Sequence, residues 1–220
     1  MNIAVLGTGV VGDAIGTKLV QLGHRTKMGS RTPGNEKAAA WVKKNGPSAS
    51  QGTFAEAATF GEIAFLCTKG DGALEAVRSA GAANLRGKVV VDITNPLDFS
   101  HGMPPSLLMC NTTSLGEEIQ KAVPEAHVVK TLNIVNCEVM VNPAKTGGEP
   151  TMFLCGNDAG AKGKVREMLQ KFGWKEIIDL GNIAGARGME MVLPLWVQTY
   201  MATGTGYFGL KVVMPPSAKG

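Results

Sequence analysis

The residues that follow the first apolar run restrict the possible folds more than any other feature of the chain. That run is NIAVL at residues 2–6, and its apolar, β-branched content is typical of a buried strand. A G-x-G-x-x-G pattern comes directly after it, and apolar positions spaced by three and four residues continue over residues 10–22. The sequence therefore predicts a strand, a glycine-rich turn and a helix in immediate succession.

Each glycine of this turn has a separate physical role. Gly7 permits the tight turn, Gly9 lets the backbone approach a pyrophosphate, and Gly12 lets the helix and the strand pack closely. The start of the helix then offers free N–H groups and the positive end of its dipole to phosphates. We predict that this turn binds a dinucleotide through Gly7, Thr8, Gly9, Val10, Val11 and Gly12. A glycine-rich turn in another α/β fold is the alternative interpretation.

Strand-like and helix-like segments alternate over the first 150 residues. Predicted strands cover residues 2–7, 25–30, 62–68, 88–94 and 127–132. Predicted helices cover residues 10–22, 35–44 and 71–80, and two shorter ones begin at the capping boxes Thr53/Glu56 and Ser114/Glu117. Such alternation is typical of parallel βαβ units. We expect an α/β fold with a doubly wound, mostly parallel Rossmann sheet and a small, largely helical C-terminal part.

The region after Pro150 is expected to form that C-terminal part. Strands are predicted at residues 151–156 and 174–181, a helix over 159–172, and mainly helix over 183–213. The predicted domains are a dinucleotide-binding domain at 1–150, a subdomain at 151–213 that contributes to an acceptor site and a dimer, and a frayed tail at 214–220. Close packing against a cofactor or a second subunit is expected of five glycines in the predicted helical region, Gly185, Gly188, Gly204, Gly206 and Gly209.

The end of the second predicted strand indicates which dinucleotide fits. NAD sites usually carry an acidic residue there, which binds the ribose 2′-hydroxyl, whereas this chain has Gly29-Ser30-Arg31-Thr32. Arg31 can pair with a 2′-phosphate, the hydroxyls of Ser30 and Thr32 can donate to its oxygens, and Lys37 can add positive charge. Gly29 is expected to leave room for the adenosine. The sequence therefore predicts NADP(H) as the cofactor.

Two further strand ends are expected to flank the nicotinamide half of that cofactor, because ligands of parallel sheets bind beyond the carboxyl ends of the strands. Lys69 follows the strand at 62–68, and the Asn95-Pro96 turn follows the strand at 88–94. The predicted lining is Cys67, Thr68, Lys69, Asn95 and Pro96. A solvated loop lysine is the alternative for Lys69, and a simple turn is the alternative for Asn95-Pro96.

Side chains suited to acid–base or nucleophilic catalysis are scarce. The three histidines, His24, His101 and His127, are expected to be structural, and no G-x-S-x-G motif or pair of carboxylates at a strand end is found. A dehydrogenase acting on an alcohol needs a group that takes the hydroxyl proton, whereas hydride transfer between two redox cofactors does not. We therefore name no catalytic side chain, and the scarcity of such groups is compatible with hydride transfer between two redox cofactors.

The overall composition argues against several other classes of protein. The net charge is +4 without a run of Lys or Arg, which does not favour nucleic-acid binding. No apolar stretch of about 18 residues and no export signal is recognisable. The four cysteines are widely spaced and are expected to be free thiols rather than metal ligands. We expect a cytoplasmic protein with no metal, nucleic-acid or membrane partner.

Several segments together resemble a known family. They are IAVLGTGVVG, GSRT, CTK, DITNPL, KTLNIVN, LCGNDAGAK and GNIAGARGMEM. The chain resembles the NADPH-dependent reductases of the 8-hydroxy-5-deazaflavin coenzyme F420 over residues 2–213, and the cytosolic oxidoreductase domain of the six-transmembrane metalloreductases is a related branch. The resemblance implies a homodimer, NADP at residues 7–12 and 30–32, and direct hydride transfer between nicotinamide C4 and deazaflavin C5. It also implies a deazaflavin site formed by Asn95, Pro96, Asn133, Val135, Cys137 and Phe208.

Two alternative functions remain open at this point. One is an enzyme of the same fold that reduces a flavin (FMN or FAD) or ferric iron. The other is a non-catalytic NADP(H)-binding sensor or partner protein. The β-hydroxyacid and pyrroline-carboxylate reductases share the N-terminal motif, but they need a larger all-helical C-terminal domain. The 70 residues after Pro150 contain two strand-like runs and do not match such a domain.

Overall fold

The structure is a computed structural model, and it describes residues 1–215. Its strands are β1 (Asn2–Leu6), β2 (Arg25–Ser30), β3 (Ala49–Thr53), β4 (Ile63–Leu66), β5 (Val89–Asp92), β6 (Leu97–Asp98), β7 (Ser106–Leu107), β8 (His127–Thr131), β9 (Thr151–Gly156) and β10 (Glu176–Asp179). Its helices are α1 (Val10–Gln21), α2 (Glu36–Asn45), α3 (Phe54–Phe60), α4 (Ala73–Ala80), α5 (Ala82–Leu85), α6 (Leu115–Ala122), α7 (Cys137–Val141), α8 (Ala159–Phe172), α9 (Ala186–Met191) and α10 (Leu193–Thr203). The predicted tail at 214–220 lies outside the described residues from 216 onward.

Eight strands form one sheet in the order β10-β9-β8-β5-β4-β1-β2-β3. Neighbouring strands are parallel except for the antiparallel pair β8–β9. The chain order reverses between β1 and β4, and this reversal is the position where open α/β sheets bind ligands. The predicted fold class, a mostly parallel Rossmann-like sheet, is confirmed.

Helices cover both faces of the sheet, and the alternation along each strand explains the two apolar cores. On β1, Ile3 and Val5 belong to the core that α1, α2 and α8 share, whereas Ala4 and Leu6 belong to the core formed by α3, α4 and α6. Gly29 is packed against the second of these layers, since a Cβ there would lie 2.9 Å from the Cβ of Ala57. The expectation that Gly29 keeps space for adenosine is therefore wrong, because α3 already fills that side.

Short elements without an apolar pattern were the ones that sequence reasoning missed. The edge strand β3 has the sequence ASQGT, of which only Ala49 is buried, so its place is set by pairing with β2. The region 98–111, where neither a strand nor a helix is predicted from the sequence, contributes β7, which pairs with β6 in a two-stranded hairpin. The helices α5 and α7 are only four and five residues long, too short for a recognisable helical period.

The C-terminal part continues the same sheet. β9 and β10 occupy its edge beside β8, and the predicted division at residue 150 stays a prediction. The helical expectation for 183–213 is wrong beyond Thr203, because Gly204 adopts a left-handed conformation with φ of 68° and ends α10. Gly206 and Gly209 therefore lie in an irregular segment. A Cβ at Gly209 would lie 2.6 Å from Pro150, so this glycine permits close packing within the chain itself.

Candidate active site

The glycine-rich turn lies between β1 and α1, at the reversal of the strand order. Gly7 has a φ of 133°, and a Cβ on it would lie 2.5 Å from the carbonyl oxygen of Cys67. A Cβ on Gly12 would overlap the carbonyl oxygen of Gly7, whereas a Cβ on Gly9 would meet nothing within 4 Å. Gly9 is the N-cap of α1 and no side chain caps the helix. The open space and the uncapped N–H groups fit a bound pyrophosphate.

Arg31 lies just beyond the end of β2 and is exposed. Among residues 1–215 its guanidinium has no hydrogen-bond or ion-pair partner, and one of its Nη atoms lies 3.8 Å from the place that a Cβ on Gly72 would take. The segment after β4 that contains Gly72 therefore lies beside the guanidinium of Arg31. Because no acidic side chain pairs with it, the guanidinium of Arg31 at the end of β2 is available to bind a 2′-phosphate.

The other residues predicted to surround that phosphate differ in their availability. Ser30 is buried, and its hydroxyl donates to the carbonyl oxygen of Thr32 at 2.6 Å, so its proton is already engaged. Thr32 is exposed. Lys37 lines a cavity of about 870 Å³ along the exposed side of α1, together with Thr8, Gly9 and Val10. The prediction that the Ser30 hydroxyl donates to the phosphate is not supported by this geometry.

The residues after β4 offer the candidate cofactor site a backbone carbonyl oxygen and one hydroxyl group rather than a thiol. The Cys67 side chain is buried in the core, and burial raises the pKa of its thiol far above the usual value. The expected role of Cys67 thus reduces to its carbonyl oxygen, which contacts Gly7. The hydroxyl of Thr68 is buried and has no hydrogen-bond partner in the described chain. A polar ligand atom would satisfy it. Lys69 is exposed.

Two asparagines bridge the ends of the parallel neighbours β5 and β8. The Nδ2 atom of Asn133 donates to Oδ1 of Asn95 at 2.9 Å, and Nδ2 of Asn95 donates to the carbonyl oxygen of Asn133 at 2.8 Å. Asn133 is 1% exposed, and its Oδ1 atom has no partner among the described residues. Pro96, which follows Asn95 in the sequence, is buried. The strand ends therefore present neutral hydrogen-bonding groups and an unsatisfied acceptor.

The remaining predicted acceptor residues differ in their surroundings. Val135 is buried in the apolar core, so its side chain is engaged in packing. Cys137 is half-buried at the start of α7, where burial raises the pKa of its thiol, and it lines the cavity along α1. The Phe208 ring stacks on Trp196 of α10 with centroids 5.3 Å apart. Only Asn95 and Asn133 are joined to each other directly.

A buried ion cluster below the amide pair was missed by sequence reasoning. It consists of Asp92, Lys130 and Glu190, with Lys130 Nζ 2.9 Å from the first carboxylate and 2.8 Å from the second. Burial alone would lower the pKa of Lys130, but the two carboxylates hold it above its ordinary value. The only signal in the sequence was one charged residue near the end of each of the apolar strands VVVD and HVVKT.

Comparison with known proteins places this geometry in a family. The family model described as NADP oxidoreductase, coenzyme F420-dependent, matches residues 2–96. A provisionally assigned F420-dependent NADP reductase from Arthrobacter sp. FB24 is 45% identical, with a TM-score of 0.94 over 97% of this chain and 100% of that chain. The chain belongs to the coenzyme F420-dependent NADP oxidoreductase family.

Two more distantly related proteins also match most of this chain. The F420-dependent NADP reductase of Methanocaldococcus jannaschii is 29% identical over 220 residues, covering 94% of this chain and 96% of that protein. Metalloreductase STEAP3 of Rattus norvegicus is 28% identical over 209 residues. That match covers 92% of this chain but only 39% of the longer rat protein.

Membership of this F420-dependent family confirms three predictions made from the sequence. The chain is an NADP-dependent oxidoreductase, its nicotinamide cofactor is NADP(H), and the second redox partner is a deazaflavin. The roles of the individual site residues stay predictions. Within residues 1–215, no helix is both long and apolar enough to cross a membrane. The same part of the chain contains no group of three or more His, Cys, Asp or Glu residues arranged to hold a metal ion.

Proposed function

We propose that this oxidoreductase transfers a hydride directly between the nicotinamide C4 of NADP(H) and the C5 atom of the deazaflavin, without a side-chain acid or base. One observation carries the proposal: the buried and half-buried polar side chains just beyond the ends of β4, β5 and β8, namely Thr68, Asn95 and Asn133, are all neutral. The nearest buried charges, Asp92 and Lys130, are engaged with each other. Hydride exchange between two heterocycles requires orientation and exclusion of water rather than proton transfer by the protein.

The residues proposed to hold NADP(H) fall into two groups. The glycine turn would bind the pyrophosphate through the uncapped N–H groups of α1. Arg31, with Thr32 beside it, would bind the 2′-phosphate, because its guanidinium has no partner elsewhere in residues 1–215. The unsatisfied Thr68 hydroxyl would bind a polar atom nearer the nicotinamide. The cofactor, once bound, supplies or accepts the hydride.

The proposed site for the deazaflavin is centred on the amide pair. The free Oδ1 acceptor of Asn133 would bind an N–H group of the heterocycle, since a buried acceptor without a partner is unfavourable. Asn95 would hold Asn133 in place through their two hydrogen bonds of 2.8 and 2.9 Å. Pro96 gives the adjacent turn a fixed shape. Roles for Val135, Cys137 and Phe208 in this site stay predictions.

Rapid mixing of NADPH with candidate acceptors tests the choice of acceptor. The protein is mixed in separate experiments with the deazaflavin, FMN and FAD, and the absorbance of NADPH and of each acceptor is followed. We expect the deazaflavin to bleach together with NADPH. Tight binding of NADPH without bleaching of any acceptor would instead favour a non-catalytic binding protein and would contradict the proposal.

Reduction of a flavin (FMN or FAD) or of ferric iron is the second candidate function. The observation that favours it is the 28% identity to metalloreductase STEAP3 across 209 residues. That relative is a metalloreductase, and this chain spans 39% of its length. In the same mixing experiment, bleaching of FMN or FAD at a rate above that of the deazaflavin would favour this candidate.

We also propose that the enzyme acts as a homodimer. Support comes from exposed apolar side chains on α10, where Leu195 is 60% exposed and Met201 is 49% exposed. Sedimentation analysis tests this state, and a mass of one chain at micromolar concentration would contradict it. A cytoplasmic location and the lack of a nucleic-acid partner stay predictions.

A further inference from the structure

The buried ion cluster lies immediately behind the strand ends that carry the amide pair. Asp92 and Lys130 are direct neighbours in the register of β5 and β8. The Lys130 ammonium group contacts Asp92 at 2.9 Å and Glu190 at 2.8 Å, and it donates to the carbonyl oxygen of Thr94 at 2.6 Å. All three of its N–H groups are thereby used. Removal of one partner would leave an uncompensated charge in the interior.

Glu190 is the member of the cluster that comes from the C-terminal part of the chain. Its Oε2 atom accepts from the N–H of Leu115 at 2.8 Å, and its Oε1 atom accepts from the N–H of Gly116 at 3.0 Å. These are the first two N–H groups of α6, where a helix dipole favours negative charge. One carboxylate on α9 is thus bound both to the strand ends, through Lys130, and to the start of α6.

The neighbour of Glu190 connects this attachment to the proposed acceptor site. The carbonyl oxygen of Met189 accepts from Nδ2 of Asn133 at 3.0 Å. The same Nδ2 atom donates to Asn95, so both of its protons are engaged and the direction of the amide plane is set. Any shift of Met189 would rotate this amide and its free Oδ1 acceptor. The position of Met189 depends in turn on the contacts of the adjacent Glu190.

We propose that Glu190 is a positioning residue for the oxidoreductase reaction. By binding Lys130 and the first turn of α6, it fixes the Met189 carbonyl and so aims the Asn133 Oδ1 acceptor at the second redox partner. The proposal rests on the function proposed above, in which Asn133 contacts that partner. Glu190 itself touches neither cofactor. It acts through Met189 and Asn133.

Substitution of Glu190 by Gln removes the negative charge and one of the two acceptor atoms at nearly constant size. The Gln side chain keeps one acceptor, but its Nε2 group cannot accept from the N–H groups of α6 or from Lys130. Glu117→Gln is the matched control, since Glu117 forms the other charged contact between α6 and α9, accepting from Arg187 at 2.6 and 2.8 Å. No hydrogen bond or ion pair joins Glu117 to Lys130, Met189 or Asn133 in residues 1–215.

The first readout is hydrogen exchange of the Asn133 side-chain amide, measured by NMR on the protein without cofactors. We expect exchange about tenfold faster in Glu190→Gln, corresponding to the loss of about one hydrogen bond, and unchanged in Glu117→Gln. The second readout is kinetic. The KM for the deazaflavin is expected to rise about tenfold in Glu190→Gln, while the Kd for NADPH stays within about twofold because the glycine turn and Arg31 are untouched.

The two readouts separate the possible failures. Wild-type exchange of the Asn133 amide in Glu190→Gln would overturn the positioning role whatever the activity. Faster exchange with an unchanged KM would show that Asn133 does not contact the deazaflavin, and it would overturn both the inference and that part of the proposed function. Should Glu190→Gln fail to fold, Glu190→Asp retains the charge but shortens the side chain. It is expected to change both readouts in the same direction, and wild-type values for it would also overturn the inference.

Discussion

Gly12 lies so close to Gly7 that a methyl group on residue 12 would overlap the carbonyl oxygen of residue 7. This contact joins the first turn of α1 to the end of β1 and fixes the direction in which the N–H groups of α1 point. The position in between behaves differently, because a methyl group on Gly9 would meet no protein atom within 4 Å. The turn therefore separates a glycine needed for folding from a glycine needed for binding.

A pair of alanine substitutions tests this separation. Gly12→Ala is expected to lower the free energy of unfolding by about 1–3 kcal/mol, because backbone atoms must move to admit the methyl group. Gly9→Ala is expected to change it by less than about 0.5 kcal/mol and yet to weaken NADPH binding at least tenfold, because the methyl group takes the space left for the pyrophosphate. Urea unfolding and NADPH titration measure the two effects. Equal loss of stability in both variants would contradict the assignment.

Arg31→Ala is expected to weaken NADPH binding by about 2–4 kcal/mol, the scale of a lost charge-assisted pair with a phosphate. NADH binding should change far less, because NADH lacks the 2′-phosphate. The unfolding free energy should stay the same, since the exposed guanidinium has no partner in residues 1–215. Fluorescence titration with both nucleotides measures the difference. Equal losses for NADPH and NADH would exclude the 2′-phosphate as the ligand of Arg31.

Lys130→Met leaves Asp92 and Glu190 as buried carboxylates without their shared cation. The expected loss of stability is about 3–5 kcal/mol, the cost of an uncompensated buried charge. Lys121→Met is the matched control, because Lys121 pairs with Glu118 at 2.8 Å on the surface, and its loss should cost less than about 1 kcal/mol. Denaturant unfolding of the two variants gives the comparison, and a similar cost for both would argue against a tightly paired cluster.

The contact between Glu117 and Arg187 has a predicted pH dependence. Its hydrogen bonds with Arg187 lower the pKa of Glu117 from the ordinary 4.5, so the ionised form is favoured in the folded state. The stabilisation is therefore fully present above pH 4.5 and is lost as the pH falls through the lowered pKa. The difference in unfolding free energy between wild type and Glu117→Gln should shrink in that acidic range. If the difference in unfolding free energy between the two proteins does not change with pH, the lowered pKa of Glu117 is contradicted.

The parts of the fold that follow from local chemistry were predictable. β2 and β9 were placed correctly because each is a short apolar or mixed run bounded by turn residues. The capping box of Thr53 and Glu56 is present with both of its hydrogen bonds. The box of Ser114 and Glu117 is only half formed. Ser114 caps α6, but the Glu117 carboxylate binds Arg187, a residue whose proximity the sequence does not reveal.

In the candidate site, too, the residues that belong to a local motif were predictable and those that depend on distant contacts were not. The glycine turn and Arg31 follow from a local motif and a strand end, and the structure places them at the reversal of the sheet. The ion cluster was not predictable, because Asp92 and Glu190 are about 100 residues apart and meet only through Lys130 on a third element. The thiol of Cys67 lies in the core because the alternation of β4 continues one residue further, and the part of Cys67 in the cofactor site stays a prediction.

Isotopic labelling shows whether the hydride passes directly from one cofactor to the other. NADPH carrying deuterium at both C4 positions is mixed with the oxidised deazaflavin and the protein in ordinary water, and the reduced deazaflavin is analysed by mass spectrometry and NMR. Direct transfer predicts one deuterium at C5 in each product molecule. Hydrogen from the solvent at C5, with the deuterium lost to water, would contradict it.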